Sequence, residues 1–141
     1  MIKLLVPVDG SPAALRAVRF AADFVPAPCE VELHLLNVQE PVLTWEVRRF
    51  LREGEIEKVQ REKAWEIVED AAKEVRQAGL TDHVHVEFGD VAKTVDAVAK
   101  HLGCRQIIMG TRGVGAIEEL LMGSVSTKVL HRTSIPVTLV K

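Results

Sequence analysis

Hydrophobic and polar positions follow two alternating periods along this chain. Ile2 to Val8 (IKLLVPV) is nearly continuous in apolar residues, as a strand buried on both faces requires. Asp9-Gly10 break the run. Ser11-Pro12 then supply a helix N-cap and a proline at the first helical position, where no backbone N–H is needed. Leu15, Val18, Ala22 and Val25 recur at helical spacing, and Pro26 and Pro28 end that helix. Glu30 to Val38 (EVELHLLNV) alternates and then turns apolar, predicting a second strand. Pro41 to Glu53 carries Val42, Leu43, Trp45, Phe50 and Leu51 without a clear period and reads as a loop or short helix.

A long amphipathic helix is predicted from about Glu55 to Ala78. Its apolar positions are Val59, Ile67, Val68, Ala71, Ala72 and Val75, with Glu, Lys and Arg between them and Gly79 as its C-terminal stop. His83 to Phe88 (HVHVEF) alternates as a third strand. Val91, Val95, Val98 and Leu102 mark a further helix closed by Gly103, and Gln106 to Met109 form a short fourth strand. After a glycine-rich turn, Gly123 precedes a short helix with Val125, Val129 and Leu130 on one side. Ile135 to Val140 (IPVTLV) is the terminal strand.

Strands and helices thus alternate through five strands, which implies an α/β fold with a parallel sheet covered on both faces. Right-handed crossovers make a doubly wound five-stranded sheet the leading topology, and the strand order expected for it is 3-2-1-4-5. No internal repeat, linker or low-complexity tract divides residues 1–141, so one domain is expected.

Composition narrows the function classes. Hydrophobic residues are 48% and charged residues 27% of the chain, so it can form an ordinary core without disulfide or metal. Aromatics are only 4%, so that core must be aliphatic. The 18 basic and 20 acidic residues leave a net charge of −2 with no basic run, which argues against nucleic acid as a partner. No window approaches the ~20 apolar residues of a membrane span, and the N-terminus runs straight into a strand without a leader pattern. A cytoplasmic protein is expected. Cys29 and Cys104 fit no metal or redox spacing and read as free thiols. His83 and His85 share a strand face, but no third ligand accompanies them in sequence, so no metal site is assigned. His131 reads as a partner of its helix dipole.

In an open doubly wound sheet, ligands bind beyond the carboxyl ends of the strands where the winding reverses. Two unusual segments stand at such ends: Pro7-Val8-Asp9-Gly10-Ser11 after the first strand, and Met109-Gly110-Thr111-Arg112-Gly113 after the fourth. The second continues as Gly110-x2-Gly113-x9-Gly123-Ser124. Glycines here permit positive φ and let backbone amides face an anion without a Cβ in the way. Gly123-Ser124 opens a helix, whose unpaired N–H groups and dipole also attract phosphate. Ser124 and Ser126 add hydroxyls, and Arg112 adds a charge. A P-loop is excluded because no Lys follows a glycine pair at the required spacing. A dinucleotide fingerprint is excluded because the first turn reads DGSPAA. A receiver-type acidic pair is also missing, since Asp9 stands alone after the first strand.

PVDGS after the first strand, G-x2-G-x9-G-S, and the closing I-P-V-x-L-V strand together resemble the universal stress protein family over essentially the whole chain. The glycine pattern is similar to that of the family's ATP-binding branch. The resemblance implies that Asp9 bonds the ribose hydroxyls. Pro7, Val8 and Val38 would line the adenine slot, with backbone near Val38 reading the base edge. Gly110, Gly113, Gly123, Ser124, Val125 and Ser126 would hold ribose and phosphates. It also implies a homodimer formed through Ile135–Val140, an apolar edge that would otherwise stand open.

The resulting expectation is a stress-response regulator switched by ATP. Mg²⁺ would be held through phosphates and water, since no acidic residue is placed to bind it. An ATP hydrolase is the alternative within enzymes, with Glu118 or Glu119 orienting water, although no Walker-type Lys is present. An interaction module with an empty or differently filled pocket is the alternative outside them.

Overall fold

The computed structural model describes residues 1–24, 30–42, 44–45, 49, 52, 54–111 and 123–141. Five strands, β1 (Ile2–Pro7), β2 (Val31–Gln39), β3 (Thr81–Phe88), β4 (Gln106–Gly110) and β5 (Val137–Val140), form one sheet in the order β3-β2-β1-β4-β5. Every neighbouring pair is parallel. Among the described residues, four helices alternate with them: α1 (Pro12–Phe24), α2 (Glu55–Gln77), α3 (Val91–Leu102) and α4 (Ser124–Arg132). The predicted fold class and strand order are those observed.

Two aliphatic clusters lie on opposite faces of the sheet. Under α1 and α2, Leu4, Val6, Leu33, Leu35 and Ile108 meet Ala17, Val18, Val68, Ala72 and Val75. Under α3 and α4, Leu5, Leu36, Ile107 and Met109 meet Val95, Ala99 and Val129. Successive residues of β1 and β2 therefore serve both faces, which is why those strands read as apolar runs rather than alternations.

Local signals placed the helix ends well. Ser11 caps α1, its hydroxyl accepting the Ala14 amide at 3.2 Å, with Pro12 the first helical residue. Asp90 caps α3 in the same way, accepting from Lys93 N at 3.0 Å, and left-handed Gly103 ends that helix. Gly79 follows α2 at φ 77°.

Buried faces were less well placed. The face of α1 centres on Ala13, Ala14, Ala17, Val18 and Ala21; of the expected stripe Val18 is fully buried, Leu15 and Ala22 pack half-buried at the margin, and Val25 lies outside the described residues. Small residues win because α1 approaches the sheet too closely for longer ones. On α2, Val59 is 60% exposed because it faces away from the buried stripe that runs through Ile56, Ala64, Val68, Ala71 and Val75. On α4, Val125 and Leu130 are exposed while Ser126 and Val129 are buried. The terminal strand begins at Val137 rather than Ile135.

Candidate functional site

β1 and β4 are neighbours, yet the chain winds from β1 toward β3 on one side and from β4 toward β5 on the other. Their carboxyl ends therefore flank the reversal point, where the ends of neighbouring strands leave a crevice.

The turn after β1 is held on both sides. Val8 N donates to Leu36 O at 2.8 Å, and the buried Asn37 side chain donates through Nδ2 to Val8 O, also at 2.8 Å. Gln39 Nε2 in turn donates to Asn37 Oδ1 at 2.7 Å. Asn37 thus fixes where the β1 turn leaves the sheet. Sequence reasoning passed over it; a polar residue between Leu36 and Val38, where the alternation of EVELHLLNV has given way to an apolar run, was the available signal. Beyond Val8, Asp9 is exposed and accepts the Ser11 amide through Oδ1 at 2.9 Å. Gly10 adopts φ 85°, and a Cβ there would stand 3.3 Å from Ile67 Cγ1. That conformation lets the chain turn sharply from β1 into the cap of α1.

The end of β4 is held differently. Gly110 is extended strand and Gly123 has φ −74°, so neither uses the positive φ expected of the glycine motif. At Gly110 the requirement is space. A Cβ would stand 2.8 Å from both the carbonyl carbon and oxygen of Ala13. The buried Ser126 hydroxyl donates to Gly110 O at 2.8 Å, tying α4 to the strand end. Its proton is therefore committed within the protein, although its lone pairs remain. Thr111 N donates to Val140 O at 3.0 Å, and the Gly123 amide donates to Thr111 O. The motif accordingly begins and ends at one point, directly beside the β4 terminus.

Gly123 is the N-cap of α4 and provides no side-chain cap, so the amides of its first turn lack an intrahelical partner. Ser124 and Val125 are exposed there. Arg112 and Gly113 lie outside the described residues, as do Glu118 and Glu119. Among the other expected residues, Pro7 is half-buried, and Val8, Met109 and Thr111 are buried. Val38 is half-buried but packs on the α3 side of the sheet, whereas Val8 packs on the α1 side. The two valines meet this end of the sheet through their backbones rather than as facing side chains. No helix among the described residues is long and apolar enough to cross a membrane.

A family model described as the universal stress protein family matches residues 1–141. Among curated proteins, a universal stress protein of Mycolicibacterium smegmatis is 32% identical over 97% of this chain, and the match spans 47% of that protein. The chain therefore corresponds to about half the length of that relative. Universal stress protein YxiE of Bacillus subtilis is 29% identical, covering 99% of this chain and 98% of its own. Among solved structures, MJ0577 superposes with a TM-score of 0.85 at 28% identity, covering 99% of this chain and 95% of that one. A universal stress protein in complex with cAMP shares the fold at a TM-score of 0.74 and 22% identity, covering 99% of this chain and 97% of its own.

Proposed function

The chain belongs to the universal stress protein family, and on that premise we propose that it is a stress-response regulator that binds ATP beyond the ends of β1 and β4. The observation that carries this reading is the closure of the glycine motif. The Gly123-to-Thr111 backbone bond brings the uncapped start of α4 to the β4 terminus, next to the turn that carries Asp9. Unpaired amides and a helix dipole suit phosphate oxygens. An exposed carboxylate on a fixed turn suits a pair of ribose hydroxyls.

In this reading Pro7 and Val8 flank adenine, backbone near Val38 meets the base edge, and Asp9 holds the ribose. Gly110, Gly113, Gly123, Ser124 and Val125 bound the phosphates together with Met109, Thr111 and Arg112. Ser126 acts by anchoring α4 while its oxygen accepts or relays a bond. When bound, the triphosphate supplies the negative charge that the amides and Arg112 meet, and any Mg²⁺ is held through phosphate and water. Occupancy then biases which partners the protein engages. In this reading it acts in the cytoplasm.

Nucleotide content tests this directly. Denaturing the purified protein is expected to release an adenine nucleotide, and the stripped protein should bind ATP in calorimetry. Asp9→Ala is expected to weaken ATP by about 10–100-fold through loss of charge-assisted hydrogen bonds. Failure of the stripped protein to bind at millimolar ATP would overturn the assignment.

We place the homodimer at β5. Among the described residues it is an edge strand paired with β4 alone, and its four residues are each half-buried. An unpartnered parallel-sheet edge of Val, Leu and Thr is readily covered by another copy. Sedimentation equilibrium is expected to give twice the chain mass, and a monomer at micromolar concentration would reject the interface.

A further inference from the structure

At the other edge of the sheet, four chemically active side chains gather on one face. Glu32 and His34 are two apart on β2 and so point the same way. The parallel register sets His34 beside His83 and Leu36 beside His85, which brings both β3 histidines onto that face. Glu32 Oε2 lies 3.3 Å from His34 Nε2 and 3.8 Å from His83 Nε2. The three donor atoms all fall within 4.8 Å of one another. Ligands about 2.1 Å from a tetrahedral ion stand about 3.4 Å apart, so these separations are near those of a formed site.

We infer that Glu32, His34 and His83 form a binding site for a Zn²⁺-class divalent cation, with His85 as its supporting residue. Two imidazole nitrogens and one carboxylate oxygen are a borderline donor set that suits Zn²⁺ and Co²⁺. A fourth position is left for water. The supporting contact is also of the right kind. His34 Nδ1 lies 2.9 Å from His85 Nε2. With Nδ1–H donated to His85, the His34 Nε2 lone pair is released toward the ion, which is how ligating histidines are normally oriented. Without an ion, the opposite tautomer lets Nε2–H donate to Glu32 and Nδ1 accept from His85. The ion thus selects a tautomer of an existing chain of contacts.

Burial divides the labour among the ligands. The His34 side chain is 5% exposed and fixed at both nitrogens, Glu32 is 20% exposed, and His83 is 44% exposed. The His34 and His83 rings lie nearly parallel, 15° apart with centroids separated by 4.7 Å, so their lone pairs run side by side. His83 is the ligand that must tilt to converge on the ion, and its exposure leaves it room.

α3 covers Leu5 and Leu36 but leaves this edge open. His85 lines a groove of about 630 Å³ between β3 and α3, shared with Glu87, Lys93 and His101. Glu32 is near the amino end of β2, about 20 Å along the strand from the carboxyl edge where we place ATP. The site is therefore independent of the nucleotide reading.

Metal-stripped full-length protein, free of nucleotide, should be titrated with Zn²⁺ in calorimetry and with Co²⁺ in visible absorption. One ion per chain is expected, with a Co²⁺ ligand-field band and a raised melting temperature in Zn²⁺. His83→Ala, at an exposed position, should remain folded and lose at least about 100-fold in affinity. His85→Ala should lose about 10-fold, the effect of a supporting residue. His101→Ala should change nothing. Absence of stoichiometric binding, or binding that survives His83→Ala at full affinity, would overturn the site and leave a hydrogen-bonded histidine cluster.

Discussion

Gly110→Val is expected to lower the free energy of unfolding by about 3 kcal/mol, the upper end of what overpacking normally costs. The strand end is in van der Waals contact with the first turn of α1, and a Cβ would meet the Ala13 carbonyl group at 2.8 Å and the Ala13 Cβ at 3.0 Å. Nothing flexible lies in that path. Ala13 is backbone-locked one residue into a helix whose start is fixed by Ser11 and Pro12. The valine must therefore push β4 and α1 apart, and in doing so loosen Ala14, Ala17 and Val18 from the sheet. Gly110→Ala carries the same clash with fewer atoms and is expected to cost about 1–3 kcal/mol. Urea denaturation reads both. Midpoints equal to that of the unaltered protein would mean that α1 withdraws cheaply, and the close-approach account would fail.

Gly113→Val is expected to do the reverse: weaken ATP by about 100-fold or more while leaving the urea midpoint nearly unchanged. Gly113 lies outside the described residues, so the expectation rests on the glycine spacing and on the proposed phosphate contacts. A nest of amides asks this position for backbone that turns left-handed, where a residue with a Cβ costs about 1–2 kcal/mol. A β-branched side chain would also occupy the space a phosphate oxygen needs. Calorimetric titration with ATP separates the two glycines, one failing in stability and the other in binding. A folded Gly113→Val protein that binds ATP at full affinity would remove the phosphate-loop assignment.

The two variants show how unevenly the sequence can be read. Gly110, Gly113 and Gly123 look alike as members of one motif. The structure separates the two it describes. Gly110 serves close packing against Ala13, and Gly123 begins α4 without a side-chain cap. Neither needs the left-handed backbone that glycine invites one to assume. The Ser126 hydroxyl likewise looked like a phosphate donor, yet it donates to Gly110 O. Sequence spacing picked out residues that the fold gathers at one strand end, without separating those available to a ligand from those that hold the loop.

Element types and their order were legible because they rest on local chemistry. A serine followed by proline caps a helix, glycine past the last turn ends one, and apolar period separates helix from strand within a few residues. The family motif was legible for the same reason, being a spacing along the chain. Register and proximity were not. That Asn37 supports Val8, that His34 stands beside His83 with Glu32 below, and that Gly110 presses on Ala13 all depend on which strands become neighbours and how far each is slid. The buried face of α1 belongs with these, because closeness to the sheet set Ala13, Ala17 and Ala21 at its centre and left the longer Leu15 packing at its margin. By itself, then, the sequence determined the α/β alternation, the helix caps and the place of the glycine motif, all set by interactions between residues close along the chain. Tertiary structure alone decided the partners across strands and the roles of Gly110 and Gly123, because those follow from packing between segments that no local period relates.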